Sequence, residues 1–467
     1  MLVDFKELGE FGVKELVRRG ADFADLFFER KFTFTAKLEE NRIENISSGI
    51  EVGVGVRMVK NGRTFYGFTN GISQKSVLRV INNLAPAVNE TVNEPEEKVE
   101  WKELEKRYPH IIEGSCDFNF SAEEKIMLLK RANYRARECG DRIKQVTTVL
   151  RDSMQEVVIV NSLGEIVEDV RPRIVFYVLV VASDGKILQT GYEPVGHLGD
   201  YSFFEKVSPE DISFKAAERS LRMLSAQPAP AGTFTVVISS KAGGTMIHEA
   251  VGHGLEADLT NQGLSVYSGK LGEKVASELV TVIDDGTIKG KYGSSGYDDE
   301  GVPTGKTVLI EDGVLKSFMY DRIQAQERGG ATLTGNGRRQ SYMDVPIPRM
   351  TNTFISPGND DPDEIIRDTK EGILVVKMGG GQVNTINGDF VFEISEGYMI
   401  EDGKVTVPIM GASLIGNGPS ALQKIDAVGN DLGFAIGTCG KDGQGVPVSD
   451  ALPTIRIKEI TVGGTQK

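Results

Sequence analysis

Two histidines five residues apart, with a glutamate directly after the first, set the hardest constraint on this chain. There are only four histidines in 467 residues, and two of them stand in Thr245-Met246-Ile247-His248-Glu249-Ala250-Val251-Gly252-His253-Gly254-Leu255-Glu256-Ala257-Asp258. Two neutral imidazoles hold a divalent metal, most naturally zinc, and an adjacent carboxylate outside the ligand set takes a proton from metal-bound water. Side chains four residues apart on an α-helix point within about 40° of each other, whereas five residues separate them by about 140°. A regular helix therefore cannot aim both imidazoles at one ion. The segment is expected to make a π-type turn or to end early, helped by Gly252 and Gly254 on either side of the second histidine.

A catalytic zinc normally has three protein ligands and one open position. The candidates for the third are Glu256, Asp258, His197 and Cys439. Cys439 is favoured because it sits in Gly437-Thr438-Cys439-Gly440-Lys441-Asp442-Gly443-Gln444. The glycines of that loop let backbone approach a site, and Lys441 is expected to lower the thiol pKa. Glu256 is then the carboxylate that orients an imidazole.

The rest of the chain reads as α+β, an N-terminal α/β domain over residues 1–224 followed by a β-rich C-terminal domain over 233–467 that carries the active-site helix. Residues 225–232, Ser-Ala-Gln-Pro-Ala-Pro-Ala-Gly, form the linker. In the first domain, residues 4–19 have helical periodicity, while 24–38 and 51–69 alternate like strands, the latter folding back at Asn61-Gly62. Ser121 with Glu124 makes a capping box, and Ser208-Pro209 opens a helix running to about Leu224. Strands are expected at 144–151, 155–160, 165–170 and 173–182. The acidic stretch Glu90 to Glu105 reads as solvated. In the second domain, hairpin turns are expected at Asp284-Asp285-Gly286, Glu311-Asp312-Gly313 and Glu401-Asp402-Gly403. The 54 glycines, concentrated in this half, imply many tight turns.

Charge and composition exclude several classes. With 53 basic and 67 acidic residues the net charge is 53 − 67 = −14, and no basic run tracks a phosphate backbone, so direct nucleic-acid binding is disfavoured. The longest apolar run, Ile174 to Ala182, is too short to span a bilayer, and the start lacks a secretory signal. A cytoplasmic protein is expected, its three cysteines unpaired. Gly301 to Thr307 fails as a phosphate loop because Glu300 stands where its first glycine belongs.

The His248 segment resembles the active-site helix of the TldD branch of the TldD/PmbA metalloproteases, and Gly437 to Gln444 resembles that family's cysteine-bearing loop. Pro348-Arg349-Met350-Thr351-Asn352-Thr353, Gly379-Gly380-Gly381-Gln382 and Gly416-Asn417-Gly418-Pro419 are similar to its other C-terminal stretches. One departure is Ala257, where the family has glycine. The resemblance implies His248, His253 and Cys439 as zinc ligands, Glu249 as general base and one Zn2+ per chain. It also implies unfolded peptides as substrates, and a dimer with a homologous PmbA/TldE-like subunit or with a second copy. Arg349 and Asn352 are candidates for shaping the site or binding substrate. The expected function is a zinc-dependent metallopeptidase of flexible polypeptides. The alternatives are a thiol hydrolase using Cys439 and a non-catalytic peptide-binding subunit with a structural metal.

Overall fold

The computed structural model describes residues 2–84 and 99–465. Residues 90–98 of the acidic stretch lie outside the described residues. Within the N-terminal half, three strands, β1 (Phe23–Glu39), β2 (Arg42–Lys60) and β3 (Arg63–Thr69), form successive hairpins. The β2–β3 turn is Asn61-Gly62, at φ 50° and 73°, the two positive values a type I′ turn needs. The β1–β2 turn uses Glu40 and Asn41 at φ 48° and 61°. Without a glycine it carries no strong sequence signal, and it escapes the sequence reading.

β1 pairs on its other side with Ile143–Asn161, which pairs with Glu165–Ser183, which pairs in turn with Leu188–Leu198, all antiparallel. The four short strands read between 144 and 182 are thus two strands of 19 residues each. At about 3.3 Å per residue these reach roughly 60 Å, long enough to carry two separate cores. Near one end, Leu2–Arg18 and Gln74–Leu84 bury Leu16, Val77 and Ile81 against Leu26, Val56 and Val158. Near the other, Ala122–Arg137 and Pro209–Met223 bury Leu129 and Ala216 against Ala36, Leu150 and Phe176. The Ser121–Glu124 capping box is complete, with the Ser121 hydroxyl accepting from the Glu124 N–H at 3.2 Å and the Glu124 carboxylate accepting from the Ser121 N–H at 2.7 Å.

The linker is not free chain, since Gln227 and Pro228 pair in parallel with Ile409 and Met410 and extend the second half's larger sheet. That second half is β-rich. A six-stranded sheet ends in Asn352–Ile355, Gln444–Leu452 and the edge strand Gly433–Lys441, and an eight-stranded sheet is built around Gly232–Ile238 and Ile455–Gly463. One apolar core joins them, including Val236 and Ile238 from one sheet, Val446 and Val448 from the other, and Met246, Ile247 and Val251 from the histidine segment between. The turns at Asp312-Gly313 and Asp402-Gly403 have the paired positive φ of hairpins. Asp284 and Asp285 do not form a turn. They close the strand Val282–Asp285, and Asp284 accepts hydrogen bonds from the Thr351 N–H at 2.8 Å, the Thr353 hydroxyl at 2.8 Å and the Asn336 amide at 2.8 Å. No helix among the described residues is long and apolar enough to cross a membrane.

Candidate metal centre

Gly243 and Gly244 open the histidine segment. A Cβ on Gly244 would stand 2.5 Å from the carbonyl carbon of Asp450, so glycine alone lets this backbone lie against the strand that carries Asp450. Three residues of α-helix, Thr245–Ile247, pass into a π turn over His248–Gly252 and then a tight 3₁₀ turn over His253–Leu255. In the π turn the His253 N–H donates to the His248 carbonyl, five residues back. That single change of winding converts a five-residue spacing from opposite faces to one face. The imidazole centroids lie 4.9 Å apart with their planes at 89°.

The flanking glycines act through space rather than through φ. Gly252 has a helical φ of −55°, but a Cβ there would stand 2.0 Å from the Met350 sulfur, and one on Gly254 would stand 2.8 Å from the Tyr267 ring. Gly418, in one of the stretches similar to the family, approaches the Ala250 carbonyl oxygen so closely that a Cβ would lie 2.5 Å from it. Gly252→Ala is expected to cost about 1–3 kcal/mol by overpacking buried Met350 and to weaken zinc binding as the π turn shifts. Chemical denaturation and a competitive zinc titration would read both, and an unchanged zinc affinity would show that the turn tolerates displacement.

Cys439 completes the cluster from the strand Gly433–Lys441. Its sulfur and one nitrogen from each histidine all lie within 4.8 Å of one another, and all three residues are buried. Zinc bonds of about 2.05 Å to nitrogen and 2.3 Å to sulfur, at the tetrahedral angle, separate those two donors by about 3.6 Å. The Cys439 sulfur stands 3.6 Å from His253 Nε2. Each imidazole is held from behind by a carboxylate: His248 Nδ1 meets Asp450 Oδ1 at 2.8 Å, and His253 Nδ1 meets Glu256 Oε2 at 2.9 Å. In the neutral, metal-binding form the proton of each ring would sit on Nδ1, leaving the Nε2 lone pair for a metal. The donor set therefore fits zinc.

Electrostatics support the same assignment. Burial would raise the Cys439 thiol, but hydrogen bonds from His248 and His253 outweigh it and bring the pKa down to about 6, giving the thiolate a metal requires. Burial opposes the charged form of His253, yet Glu256 and Cys439 raise its pKa to about 10, so without a metal it rests as an imidazolium beside the thiolate and a bound metal would displace that proton. Glu256, fully buried, is held down to about 2 despite burial because Lys441 and His253 stand beside it. Lys441 is thus differently employed from the sequence expectation. Its ammonium lies 3.1 Å from Glu256 and 2.7 Å from Asp258, neutralising the carboxylates behind His253, while the two imidazoles lower the thiol.

Glu249 is half-buried and makes no hydrogen bond or ion pair among the described residues, so its carboxylate is free to handle a proton. Arg349, completely buried, donates to the Cys439 carbonyl and, at 3.4 Å, to the Gln444 carbonyl, fixing the backbone on which the sulfur rides. The Asn352 amide is spent on the Asp285 carbonyl and on Ser294, away from the cluster, although Asn352 pairs in register with Ser449, next to Asp450. His197, one of the candidates for the third ligand, stands apart from the cluster. It lies buried in Leu188–Leu198, stacked on Phe203, and is no part of the centre. Asp258 reaches Lys441 and does not join the metal-facing atoms. Asp450 escapes sequence reasoning altogether. It lies 202 residues from His248 in a strand with no local signature.

Three models of the PmbA/TldA metallopeptidases match along the chain: domain 1 at residues 24–87, the central domain at 117–224 and the C-terminal domain at 231–464. A metalloprotease TldD homolog from Buchnera aphidicola is 38% identical over 97% of this chain and 95% of its own length. The chain belongs to this family. A zinc metalloprotease TldD homolog from Saccharolobus solfataricus is 30% identical over 97% of the chain and 99% of its own length. The crystal structure of TldE from Thermococcus kodakarensis, 21% identical, shares the fold of this TldD/PmbA chain with a TM-score of 0.75 over 99% of this chain and 100% of that one.

Proposed function

We propose that this TldD/PmbA-family chain is a zinc-dependent metallopeptidase that hydrolyses peptide bonds in unfolded or flexible polypeptides. Membership makes it a metallopeptidase, a hydrolase acting on peptide bonds. What carries the finer reading is the convergence of His248, His253 and Cys439, with both Nδ1 atoms engaged by carboxylates and Glu249 left uncommitted beside them. His248, His253 and Cys439 would hold zinc, which when bound supplies a Lewis acid for the scissile carbonyl and for a water. Glu249 takes the proton of the attacking water and passes it to the departing amine. Asp450 and Glu256 keep both rings in one tautomer throughout, and Lys441 balances the charge of Glu256. The edge position of Gly433–Lys441 suits an extended peptide laid against it as an added strand, which favours unfolded chains with little sequence selectivity.

A homologous subunit or a second copy is the proposed partner. Among the described residues the outer half of β2, residues 42–52, has no strand on its far side, and it exposes Ile43, Ile46 and Ile50, an edge that a partner would cover. A reducing cytoplasm suits the three free cysteines.

Elemental analysis tests the metal assignment. About one zinc per chain is expected in the purified protein and well under half of that in Cys439→Ser. Because the centre sits inside a large apolar core, chelation should abolish hydrolysis while leaving the far-UV circular dichroism intact. Activity surviving chelation would favour the thiol hydrolase, for which Cys439 and His253 have suitable chemistry. Unfolding on chelation would favour a structural metal.

A further inference from the structure

Two adjoining cavities, of about 340 and 170 Å3, lie between the N-terminal sheet and the strand that carries Cys439. Both are lined by Lys31, Arg173, Tyr292 and Thr438. Together their walls carry six basic side chains (Lys31, Arg151, Arg171, Arg173, Arg338 and Arg339) and two carboxylates. In a chain of net charge −14 this concentration of positive charge is exceptional. Asp299 offsets one of these cations, standing 2.6 Å from Arg171 and accepting from the Arg339 N–H at 2.8 Å, while Asp152 is taken by Lys125 at 2.6 Å and by Tyr201, outside these walls.

Arg339 also faces Asp25 at 3.6 Å, whereas the remaining four cations have no acidic partner among the described residues. Among the described residues Arg173, 6% exposed, donates only to the carbonyls of Tyr292 and Ser294, at 3.1 and 3.0 Å, and Arg338, 5% exposed, only to those of Met350 and Pro447. Burial and the neighbouring Arg171 and Arg338 pull the Arg173 pKa down to about 9, so it stays charged at neutral pH at a free-energy cost. Lys31 and Arg151 form no ion pair among the described residues. A buried arginine turned into a cavity without a counter-ion is a group awaiting an anion. Thr438 lines both cavities and immediately precedes Cys439, about 3.8 Å along the chain. Successive residues of a strand face opposite sides, so exposed Thr438 and buried Cys439 put the cleft and the metal-facing sulfur on the two faces of this edge strand, and a polypeptide laid along the edge reaches both within a few residues.

Resting on the peptidase reading above, we infer that the cleft between Lys31, Arg151 and Arg173 is a carboxylate subsite for the substrate peptide. The carboxylate comes either from the peptide's C-terminus or from an acidic side chain close to the scissile bond. The subsite would select peptides by charge where the rest of the site reads only backbone.

Binding of neutral-dye-labelled octapeptides to zinc-loaded Glu249→Gln, followed by fluorescence anisotropy, tests the inference without turnover. One pair of uncharged peptides has a free or an amidated C-terminus, and a second amidated pair has Glu or Gln at one internal position. The carboxylate-bearing member of at least one pair should bind about tenfold more tightly, the pair that responds naming the source. Lys31→Gln with Arg151→Gln should remove that preference while leaving the amidated peptides bound. Both side chains are unpaired and outside the apolar cores, so this variant should keep the parent's thermal unfolding profile. Equal binding within both pairs, or a preference that survives in the double variant, overturns the subsite. Wild-type cleavage of the same peptides is read separately: a carboxylate preference without any cleavage keeps the cleft and removes the peptidase reading, and cleavage without preference does the reverse.

Discussion

Glu249→Gln is expected to keep about one zinc per chain and to lose about 10²–10⁴-fold in kcat on any flexible peptide, because the substituted amide cannot accept the proton of the attacking water. Its size and polarity are conserved, and Glu249 makes no bond among the described residues whose loss would disturb the turn. His248 and His253 also keep their supporting carboxylates, since Asp450 and Glu256 reach them independently. The separation of metal content from turnover is the decisive feature. Elemental analysis and initial-rate kinetics on one preparation measure both, with the partner subunit present if one is required. A variant retaining more than a tenth of the wild-type rate would move the proton transfer to another group, and one that loses its zinc would make Glu249 a ligand.

The second large effect lies far from the metal. Arg57, on β2, donates to Asp25 at 2.6 Å and reaches Glu300 of the second half at 2.5 Å, and all three side chains are fully buried. Burial alone would disfavour the guanidinium charge, but Asp25 and Glu300 raise its pKa and keep it ionised. Arg57→Met leaves two carboxylates without their cation in an interior where neither can be hydrated. A loss of about 3–5 kcal/mol is expected, read as a lower midpoint in chemical denaturation. Adding Glu300→Gln should recover part of it, since one of the two stranded charges is then gone. A loss below about 1 kcal/mol would mean that water or Arg339, 3.6 Å from Asp25, takes over the pairing. The triad joins the halves of the chain, so its removal should also loosen the cleft between them, and peptide binding should weaken along with stability.

Much of this architecture is written in short-range patterns. The Asn61-Gly62 turn, the Ser121 capping box and the Ser208-Pro209 helix start are each specified by two to four adjacent residues whose backbone preferences need no tertiary context. The histidine spacing belongs with them, because two ligands at i and i+5 exclude a regular helix whatever surrounds it. The failures are equally local in cause. Gln74–Leu84 has no capping box, and its one start signal, Ser73 at the N-cap with its hydroxyl accepting from the Ser76 N–H at 3.2 Å, escapes the sequence reading. Asp284-Asp285-Gly286 has turn composition, but Asp284 is wanted in the strand as an acceptor for Thr351, Thr353 and Asn336, and that demand overrides propensity.

By itself the sequence determined the residue types and their local geometry: two imidazoles that require a π turn, a thiol among glycines, a carboxylate next to the first histidine, and a chain rich in hairpins. Tertiary structure alone decided which groups meet. Cys439 reaches His253 across 186 positions and Asp450 reaches His248 across 202, separations at which no sequence periodicity survives. The packing of two sheets around one apolar core brings them together, and that burial also sets their protonation. Removed from water, each charge answers chiefly to its nearest neighbours, so Lys441 and His253 settle Glu256 while the imidazoles settle the thiol.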